Sequence, residues 1–201
     1  GLLSYSLIPK RLKERSKQSV KIKELVQDLN LVSQLEYEMQ PLHKEMVRLS
    51  KLLRSYVADL LNMGISDSYN IGIEIATDAE NTMLECDARL ISRAVNNLVQ
   101  NSMKHNPLGC RILLSLRRME NTIQLIVQDD GIGLSEEKLQ ELKEKPHYLE
   151  STDERLDLRH GLGLVLVRQI VAAHEGTMTI DSKINCGCKI ILTFDSIDTI
   201  P

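Results

Sequence analysis

The sequence predicts a two-layer α/β sandwich in which helices pack on a mixed β-sheet. In some segments apolar residues recur every three or four positions, and in others they alternate with polar residues, which indicates interleaved helices and strands. Predicted strands also follow one another directly, as on the two sides of Glu120-Asn121 and in a closing pair formed by Thr177–Asp181 and Lys189–Asp195. Such strand pairs favour a mixed sheet over a doubly wound parallel sheet.

The composition limits the class of protein. The chain has 201 residues, enough for one or two domains with a sizeable core, and it is 42% hydrophobic and 26% charged. The net charge of −3 gives no indication of nucleic-acid binding. No run of about 18 apolar residues is present, so we expect no membrane span.

Four cysteines, Cys86, Cys110, Cys186 and Cys188, are predicted to be reduced thiols of a cytosolic protein. The C-x-C spacing of Cys186 and Cys188 occurs in metal sites. Because no His or second Cys pair accompanies it, we expect no metal there.

The N-terminal part predicts two helices. Residues Val20 to Met39 carry a narrow apolar stripe, which is typical of a bundle or coiled-coil seam. The basic segment from Lys10 to Lys23, which overlaps the start of this helix, is either a solvated connection or a membrane-proximal segment. A second helix is predicted from Glu45 to Leu61, after Pro41.

From Ile71 onward the apolar pattern changes, and strands alternate with helices. Asp87 is predicted to cap a long helix that ends at His105, before the turn Asn106-Pro107-Leu108-Gly109. The other predicted elements are strands over Ile71–Ile75, Thr82–Cys86, Arg111–Met119, Thr122–Gln128, Thr177–Asp181 and Lys189–Asp195, and a helix over Gly161–His174.

Polar side chains share one face of the Asp87–His105 helix. Arg93, Asn97, Asn101 and Lys104 follow one another at spacings of four, four and three residues. An amide oxygen is a suitable ligand for Mg²⁺, and a lysine beside it supplies positive charge for phosphate. A solvated helix face is the alternative interpretation of the same residues.

A second candidate segment, Asp129-Asp130-Gly131-Ile132-Gly133-Leu134, directly follows a predicted strand. The carboxylate of Asp129 at the strand end can accept a hydrogen bond from an exocyclic amine such as N6 of adenine. Gly131 and Gly133 would let the backbone approach a flat ligand closely. Since Asp-Gly is also common in ordinary turns, this motif by itself is weak evidence.

A third segment, His160-Gly161-Leu162-Gly163-Leu164, opens the last predicted helix. Backbone N–H groups at a helix start form a ready anion site, and packing is the alternative reason for glycine here. Ser135 to Arg159, which precedes this segment, is too long for an ordinary connection. We interpret it as a candidate lid that begins with a short helix, Ser135 to Lys145; a plain surface excursion is the alternative.

In this order, the three segments resemble the boxes of the GHKL ATPases, and specifically of sensor histidine kinases. Asn97 to His105 resembles the N box, Asp129 to Gly133 the first glycine box, and Gly161 to Leu164 the second. Gln27 to Glu36 resembles the end of the second helix of the kinase dimerisation domain. The sequence contains no G-x-x-x-x-G-K-[ST] loop and no protein-kinase H-R-D or D-F-G set.

The resemblance implies the Bergerat fold, a mixed sheet with helices on one face, with ATP and Mg²⁺ bound between the N-box helix and a lid. It also implies that Asn101 coordinates Mg²⁺ and that Asp129 accepts a hydrogen bond from adenine N6. The other residues that it implies for ATP binding are Asn97, Lys104, His105, Gly131, Gly133, His160, Gly161, Leu162, Gly163 and Leu164.

The resemblance also implies how the protein is organised. Residues 1–40 are expected to be the end of the dimerisation hairpin and residues 41–201 the ATP-binding domain, so that the chain begins past the phosphoacceptor histidine. None of the five histidines has the family's context of histidine, acid and proline, and His174 is expected at the surface near a helix C-terminus. The implied partners are a second copy, through the N-terminal helix, and a response regulator, with membrane attachment only through upstream segments.

Two departures from the family pattern bear on the activity. The Phe-containing box usual in the lid is absent, because the only Phe is Phe194, and a module that binds ATP without transferring phosphate is therefore an alternative. Another GHKL ATPase or serine kinase is a further alternative. The hydrolysing members usually carry an acid one turn before the metal-binding Asn, and Asn97 at that place favours transfer over hydrolysis.

Overall fold

The computed structural model describes residues 22–23, 25–37, 41–144 and 162–195. Helix α1 comprises helical residues 22–23 and 25–36. The elements that follow are β1 (Glu45–Arg48), α2 (Leu49–Asn62), β2 (Tyr69–Ile75), a 3₁₀ turn (Thr77–Ala79), β3 (Met83–Cys86), α3 (Ala88–His105), β4 (Cys110–Met119), β5 (Thr122–Asp129), α4 (Glu136–Glu144), α5 (Leu162–Ala173), β6 (Thr177–Ser182) and β7 (Cys188–Asp195).

Five of the strands form one mixed sheet in the order β2-β4-β5-β7-β6. Strand β2 runs parallel to β4, and the other neighbours in this sheet are antiparallel. Strands β1 and β3 form a separate antiparallel ribbon. The two strand pairs predicted from the sequence, β4 with β5 and β6 with β7, are confirmed.

The hydrophobic core lies between one face of this sheet and the helices. Alternate residues of β4 and β5 are buried on this face: Ile112, Leu114, Leu116, Ile123, Leu125 and Val127. Helices α3 and α5 contact each other, and α3 also contacts both strands. On the opposite face of the sheet Arg117 and Gln128 are exposed. This arrangement confirms the predicted two-layer sandwich with helices on one face.

The predicted second helix is partly wrong. It was expected from Glu45 to Leu61, but residues Glu45–Arg48 form strand β1, and the helix begins at Leu49. The spacing of Met46 and Leu49 fits a helix, yet Met46 is 46% exposed and its backbone pairs with β3. Pairing with β3, which is distant in sequence, satisfies the backbone hydrogen-bonding groups of this segment. The periodicity of four residues carries no information about such a distant partner.

Helix α1 packs against the rest of the fold with one face. Its buried side chains are Leu31, Val32 and Leu35, which join the main core. Asp28 forms an ion pair with Arg93 of α3. Another face of α1 exposes the apolar residues Ile22, Val26 and Leu29. Most of the upstream basic segment lies outside the described residues, among which no helix is both long enough and apolar enough to cross a membrane.

Candidate functional site

Helix α3 carries the polar face predicted from the sequence, and its start is fixed by Asp87. The carboxylate Oδ1 of Asp87 accepts hydrogen bonds from the backbone N–H groups of Arg89 (3.1 Å) and Leu90 (3.3 Å). Burial alone would raise the pKa of Asp87, but the hydrogen bonds from the His43 backbone, the Arg89 side chain and the Leu90 backbone hold it below its usual value. The predicted N-cap is confirmed.

The expectation that His174 lies at the surface is wrong. Its side chain is only 7% exposed and follows the last turn of α5. Nε2 accepts a hydrogen bond from the Asp87 backbone N–H (3.0 Å), so Nδ1 carries the proton and donates to the Ile170 carbonyl (2.7 Å). Burial and, secondarily, the charge of Lys44 lower the pKa of His174. A neutral imidazole thus joins the end of α5 to the start of α3.

Asn97 and Asn101 lie one turn apart on α3, and both are half-buried. The amide nitrogen of Asn97 donates to the Arg93 carbonyl (3.1 Å), which leaves its oxygen available. Within the described part of the chain, the Asn101 side chain makes no hydrogen bond. A Cβ added to Gly163 would lie 3.4 Å from Asn97 Oδ1 and 3.5 Å from both terminal atoms of Asn101. The start of α5 therefore faces both amides, and the glycine leaves a gap of about one methyl group in front of them.

The structure describes only some of the other residues predicted in the Asn97–His105 and His160–Leu164 segments. Lys104 and His105 are exposed in the last turn of α3. Leu162 is buried and Leu164 is half-buried at the start of α5. His160 and Gly161, which the sequence predicts to bound the phosphates, lie outside the described residues.

Asp129 is the last residue of β5, and its side chain is 5% exposed. Its Oδ1 accepts from the Gly131 backbone N–H (3.0 Å) and from the Asn106 amide (3.5 Å). Its Oδ2 accepts from the Ser102 hydroxyl (2.8 Å). A carboxylate has about four acceptor positions, two on each oxygen, so one position on Oδ2 remains open among the described contacts.

Sequence reasoning missed the role of Asn106, which it treated only as part of a turn. This side chain is 6% exposed and lies directly after α3. Its amide donates to the Ser102 carbonyl (2.8 Å), and its oxygen accepts from the Ile132 backbone N–H (2.9 Å). A Cβ on Gly131 would lie 2.0 Å from this oxygen. A Cβ at Gly131 would therefore displace the Asn106 side chain, whereas the sequence predicted that this glycine makes room for a ligand.

The Asp129–Gly133 loop is also covered by the turn between β6 and β7. Gly133 has a φ of +64°, and a Cβ there would lie 2.0 Å from the Lys183 carbonyl oxygen. The N–H of Gly187 donates to the Gly131 carbonyl (3.0 Å), and that of Asn185 donates to the Ile132 carbonyl (2.7 Å). Gly133 thus permits a close approach of the protein's own backbone, which no local sequence pattern predicts.

Residues 86–197 of the chain match the family described as histidine kinase-, DNA gyrase B- and HSP90-like ATPases. The match extends over more than half of the chain, and it includes helix α3, the Asp129–Gly133 loop and the start of α5. The chain belongs to this family. Its membership confirms the resemblance to GHKL ATPases that the three boxes predicted.

Curated relatives of this GHKL ATPase domain are sensor histidine kinases. Sensor histidine kinase YvrG of Bacillus subtilis (strain 168) is 27% identical over 194 residues, which is 94% of this chain and 33% of YvrG. Sensor-like histidine kinase SenX3 of Mycobacterium tuberculosis (strain ATCC 25618 / H37Rv) is 32% identical over 129 residues, which is 64% of this chain and 32% of SenX3. The chain spans about a third of the length of these relatives.

Solved structures show the same fold as this GHKL domain. The Acinetobacter baumannii histidine kinase AdeS superposes with a TM-score of 0.72 at 18% identity, covering 92% of this chain and 83% of AdeS. The catalytic domain of histidine kinase ThkA gives a TM-score of 0.62 at 23% identity, covering 76% of this chain and 95% of that chain. These similarities confirm the predicted fold.

In this GHKL domain, helix α3 joins two groups of candidate site residues. At one group, Asn97 and Asn101 face Gly163. At the other, Ser102 contacts the carboxylate of Asp129, which lies beside Gly131. Since Ser102 directly follows Asn101, the two groups are adjacent along the same helix.

The predicted lid, Ser135 to Arg159, is anchored in its first part. Helix α4 starts after Ser135, whose hydroxyl accepts from the Lys138 N–H (3.2 Å), and Leu139 packs on the core. The guanidinium of Arg168 on α5 donates to the Leu142 carbonyl near the end of α4 (2.6 Å), and burial lowers the pKa of Arg168. Residues 145–159 lie outside the described part of the chain.

Proposed function

We propose that this chain is the ATP-binding kinase domain of a two-component sensor histidine kinase, and that it transfers the γ-phosphate of ATP to a histidine other than the five in this sequence. One observation carries the proposal. A single helix, α3, carries both ends of the candidate site. The amide of Asn101, which makes no hydrogen bond among the described residues, faces Gly163. The hydroxyl of Ser102 contacts the carboxylate of Asp129, which has an open acceptor position. This pairing suits a ligand with an exocyclic amine at one end and phosphates at the other.

The nucleotide is proposed to lie along α3. The adenine amine donates to Oδ2 of Asp129, and the phosphates extend toward Asn97, Asn101 and the start of α5. Lys104 and His105 approach the nucleotide from the last turn of α3. The backbone N–H groups at the start of α5, together with the positive end of the helix dipole, favour the negative charge of the phosphates.

The side chains present are compatible with Mg²⁺ at the phosphate end. The carboxamide of Asn101 is half-buried and unpaired among the described residues, and its oxygen is a hard ligand of the kind that Mg²⁺ prefers. Bound there, Mg²⁺ would neutralise phosphate charge. Asn97, one turn away, would support the phosphate end, and because it is an amide it supplies no general base for activating water.

Replacing Asn101 with Ala is expected to abolish most of the Mg²⁺ dependence of ATP binding. The substitution removes the proposed ligand oxygen but keeps a good helix former at that position. Titration calorimetry with Mg²⁺ and with EDTA measures the ratio of the two affinities. Gln100→Ala is the matched control, because Gln100 is the exposed neighbour on the same helix. A Mg²⁺ dependence equal to that of the parent chain would contradict the assignment of Asn101.

The chain is expected to bind ATP without labelling itself. His174 is buried and holds the α3 start, and His105 belongs to the nucleotide-binding face, so neither can present a free imidazole to the γ-phosphate from across the cleft. His43 is exposed in the segment before β1, but the sequence around it lacks the family's context of histidine, acid and proline. Incubation with γ-labelled ATP should therefore give no acid-labile label on this chain, whereas a longer protein with the upstream helix should be labelled.

One further measurement completes that experiment. ATP binding by the same sample, measured by calorimetry, shows that an absence of label is not due to loss of the nucleotide site. Stoichiometric acid-labile phosphate on any of the five histidines would contradict the proposed placement of the phosphoacceptor.

We further propose that residues 1–40 are the end of a dimerisation hairpin and residues 41–201 the ATP-binding domain. Helix α1 supports this, because it exposes Ile22, Val26 and Leu29 on one face while another face packs on the domain. An exposed apolar stripe is suited to a helix of a second copy. A response regulator is the proposed phosphoryl acceptor partner, and the location is proposed to be cytoplasmic, with any membrane attachment through upstream segments.

The second candidate function is a module that binds ATP without transferring phosphate. One observation favours it: the only Phe of the chain, Phe194, is buried in β7, where its ring meets His174 edge-on, and so it does not serve in the lid. A longer protein that carries the upstream helix and binds ATP, yet acquires no acid-labile label, would support this alternative.

A further inference from the structure

We infer that Ser102 is a positioning residue that orients the carboxylate of Asp129 and thereby sets the preference of the site for a 6-amino purine over a 6-oxo purine. The inference rests on the proposed ATP-binding function. It starts from one contact between two side chains that are 8% and 5% exposed: the hydroxyl of Ser102 lies 2.8 Å from Oδ2 of Asp129.

The hydrogen bonds around Asp129 fix which oxygen remains available. Oδ1 already accepts from the Gly131 N–H and from the Asn106 amide, so both of its acceptor positions are used. Oδ2 accepts from Ser102, and among the described residues it has no second donor. A ligand amine is thus directed to Oδ2, at the position that Ser102 leaves open.

The Ser102 hydroxyl also restricts rotation of the carboxylate. Donors on both oxygens hold the plane of the group, whereas loss of the donor on Oδ2 would leave it held only through Oδ1. The 6-amino group of adenine donates to a fixed acceptor, while the 6-oxo group of hypoxanthine would bring a second acceptor against it. Discrimination between the two bases therefore depends on how firmly Asp129 is held.

ATP and ITP test this idea, because their bases differ at position 6 in carrying an amino or an oxo group. Ser102→Ala removes only the hydroxyl, and we expect the ratio of ITP to ATP dissociation constants to fall about fivefold or more. Ser115→Ala is the matched control: Ser115 is buried to a similar degree (4% exposed), but it lies in β4 opposite Ile126, three positions along β5 from Asp129. This control should leave the ratio unchanged.

A second variant and a second background make the test decisive. Ser102→Cys keeps the size and a weak S–H donor, so it should give a ratio between those of Ser102→Ala and the parent. In an Asp129→Ala background, which removes the side chain that Ser102 contacts, Ser102→Ala should change the ratio no further, because Ser102 acts through Asp129. A further change there would mean that Ser102 contacts the base itself and would overturn the positioning role.

The outcomes separate this inference from the proposed function. If Ser102→Ala weakens the binding of ATP and of ITP by the same factor, or changes the binding of neither, Ser102 does not set base selectivity. The inference is then wrong, while the proposal of ATP binding stands. If the parent chain binds no ATP, the proposed function fails and the inference fails with it.

Discussion

Replacing Asp129 with Asn is expected to weaken ATP binding about tenfold or more, since a hydrogen bond to a charged group contributes about 1.5–3 kcal/mol. The Gly131 N–H and the Asn106 amide both donate to Oδ1 of Asp129, so the single oxygen of the new Asn side chain will occupy the Oδ1 position. The NH₂ group then takes the place of Oδ2, where the Ser102 hydroxyl can turn to accept from it. The adenine amine would face a donor in place of an acceptor, and titration calorimetry measures the loss.

Asp130→Asn is the control for this substitution. Asp130 is the exposed neighbour of Asp129, and its Oδ1 accepts from the backbone N–H of Arg111 (2.8 Å), a bond that an amide oxygen can also accept. It changes the net charge by the same amount and should leave ATP affinity within about twofold of the parent, because screening weakens an exposed charge. Unchanged affinity in folded Asp129→Asn would remove Asp129 from the site.

Gly187→Ala is expected to destabilise the fold by about 2–5 kcal/mol, from backbone strain and from overpacking together. Gly187 has a φ of +76°, and an added Cβ would lie 1.9 Å from the carbonyl oxygen of Asp129 and 2.9 Å from Cα of Asp130. These neighbours are backbone atoms, so the turn between β6 and β7 must move away from the Asp129–Gly133 loop. Urea or thermal unfolding measures the change, and ATP affinity should fall with it because the loop carries Asp129.

Gly64→Ala isolates the contribution of the close approach. Gly64 has the same φ of +76°, but no heavy atom lies within 4 Å of the Cβ that would be added. It should therefore cost only the strain of a left-handed alanine, about 1–2 kcal/mol. Equal destabilisation by the two substitutions would show that contact between the turn and the Asp129–Gly133 loop contributes nothing beyond the backbone conformation.

Local signals in the sequence were sufficient for most of the elements of the fold. The N-cap at Asp87 and the end of α3 at His105 were predicted correctly, because capping and apolar periodicity depend on residues within a few positions. The strand pairs β4–β5 and β6–β7 were likewise predicted, since each pair is joined by a short turn. The order of the three boxes also predicted the family, which the match over residues 86–197 confirms.

The candidate site was predicted only in part. The sequence identified Asn97, Asn101 and Asp129 from residue type and spacing, and the structure places Gly163 against the two amides. Ser102 was missed, because a serine in a helix interior gives no local signal that its hydroxyl meets a carboxylate 27 residues later. The roles of these residues in binding ATP stay predictions until the substitutions are measured.

Residue patterns along the chain were therefore enough to predict the class of fold, the helix that carries the polar face, and the family. The folded arrangement was needed to show that Glu45–Arg48 is a strand, that His174 is buried and neutral, and that Gly131 and Gly187 accommodate the protein's own chain. The difference lies in the range of the interactions. Periodicity and caps act within one or two turns, whereas a ladder to β3 or a hydrogen bond from Asp87 to His174 joins residues that approach each other only in the folded chain.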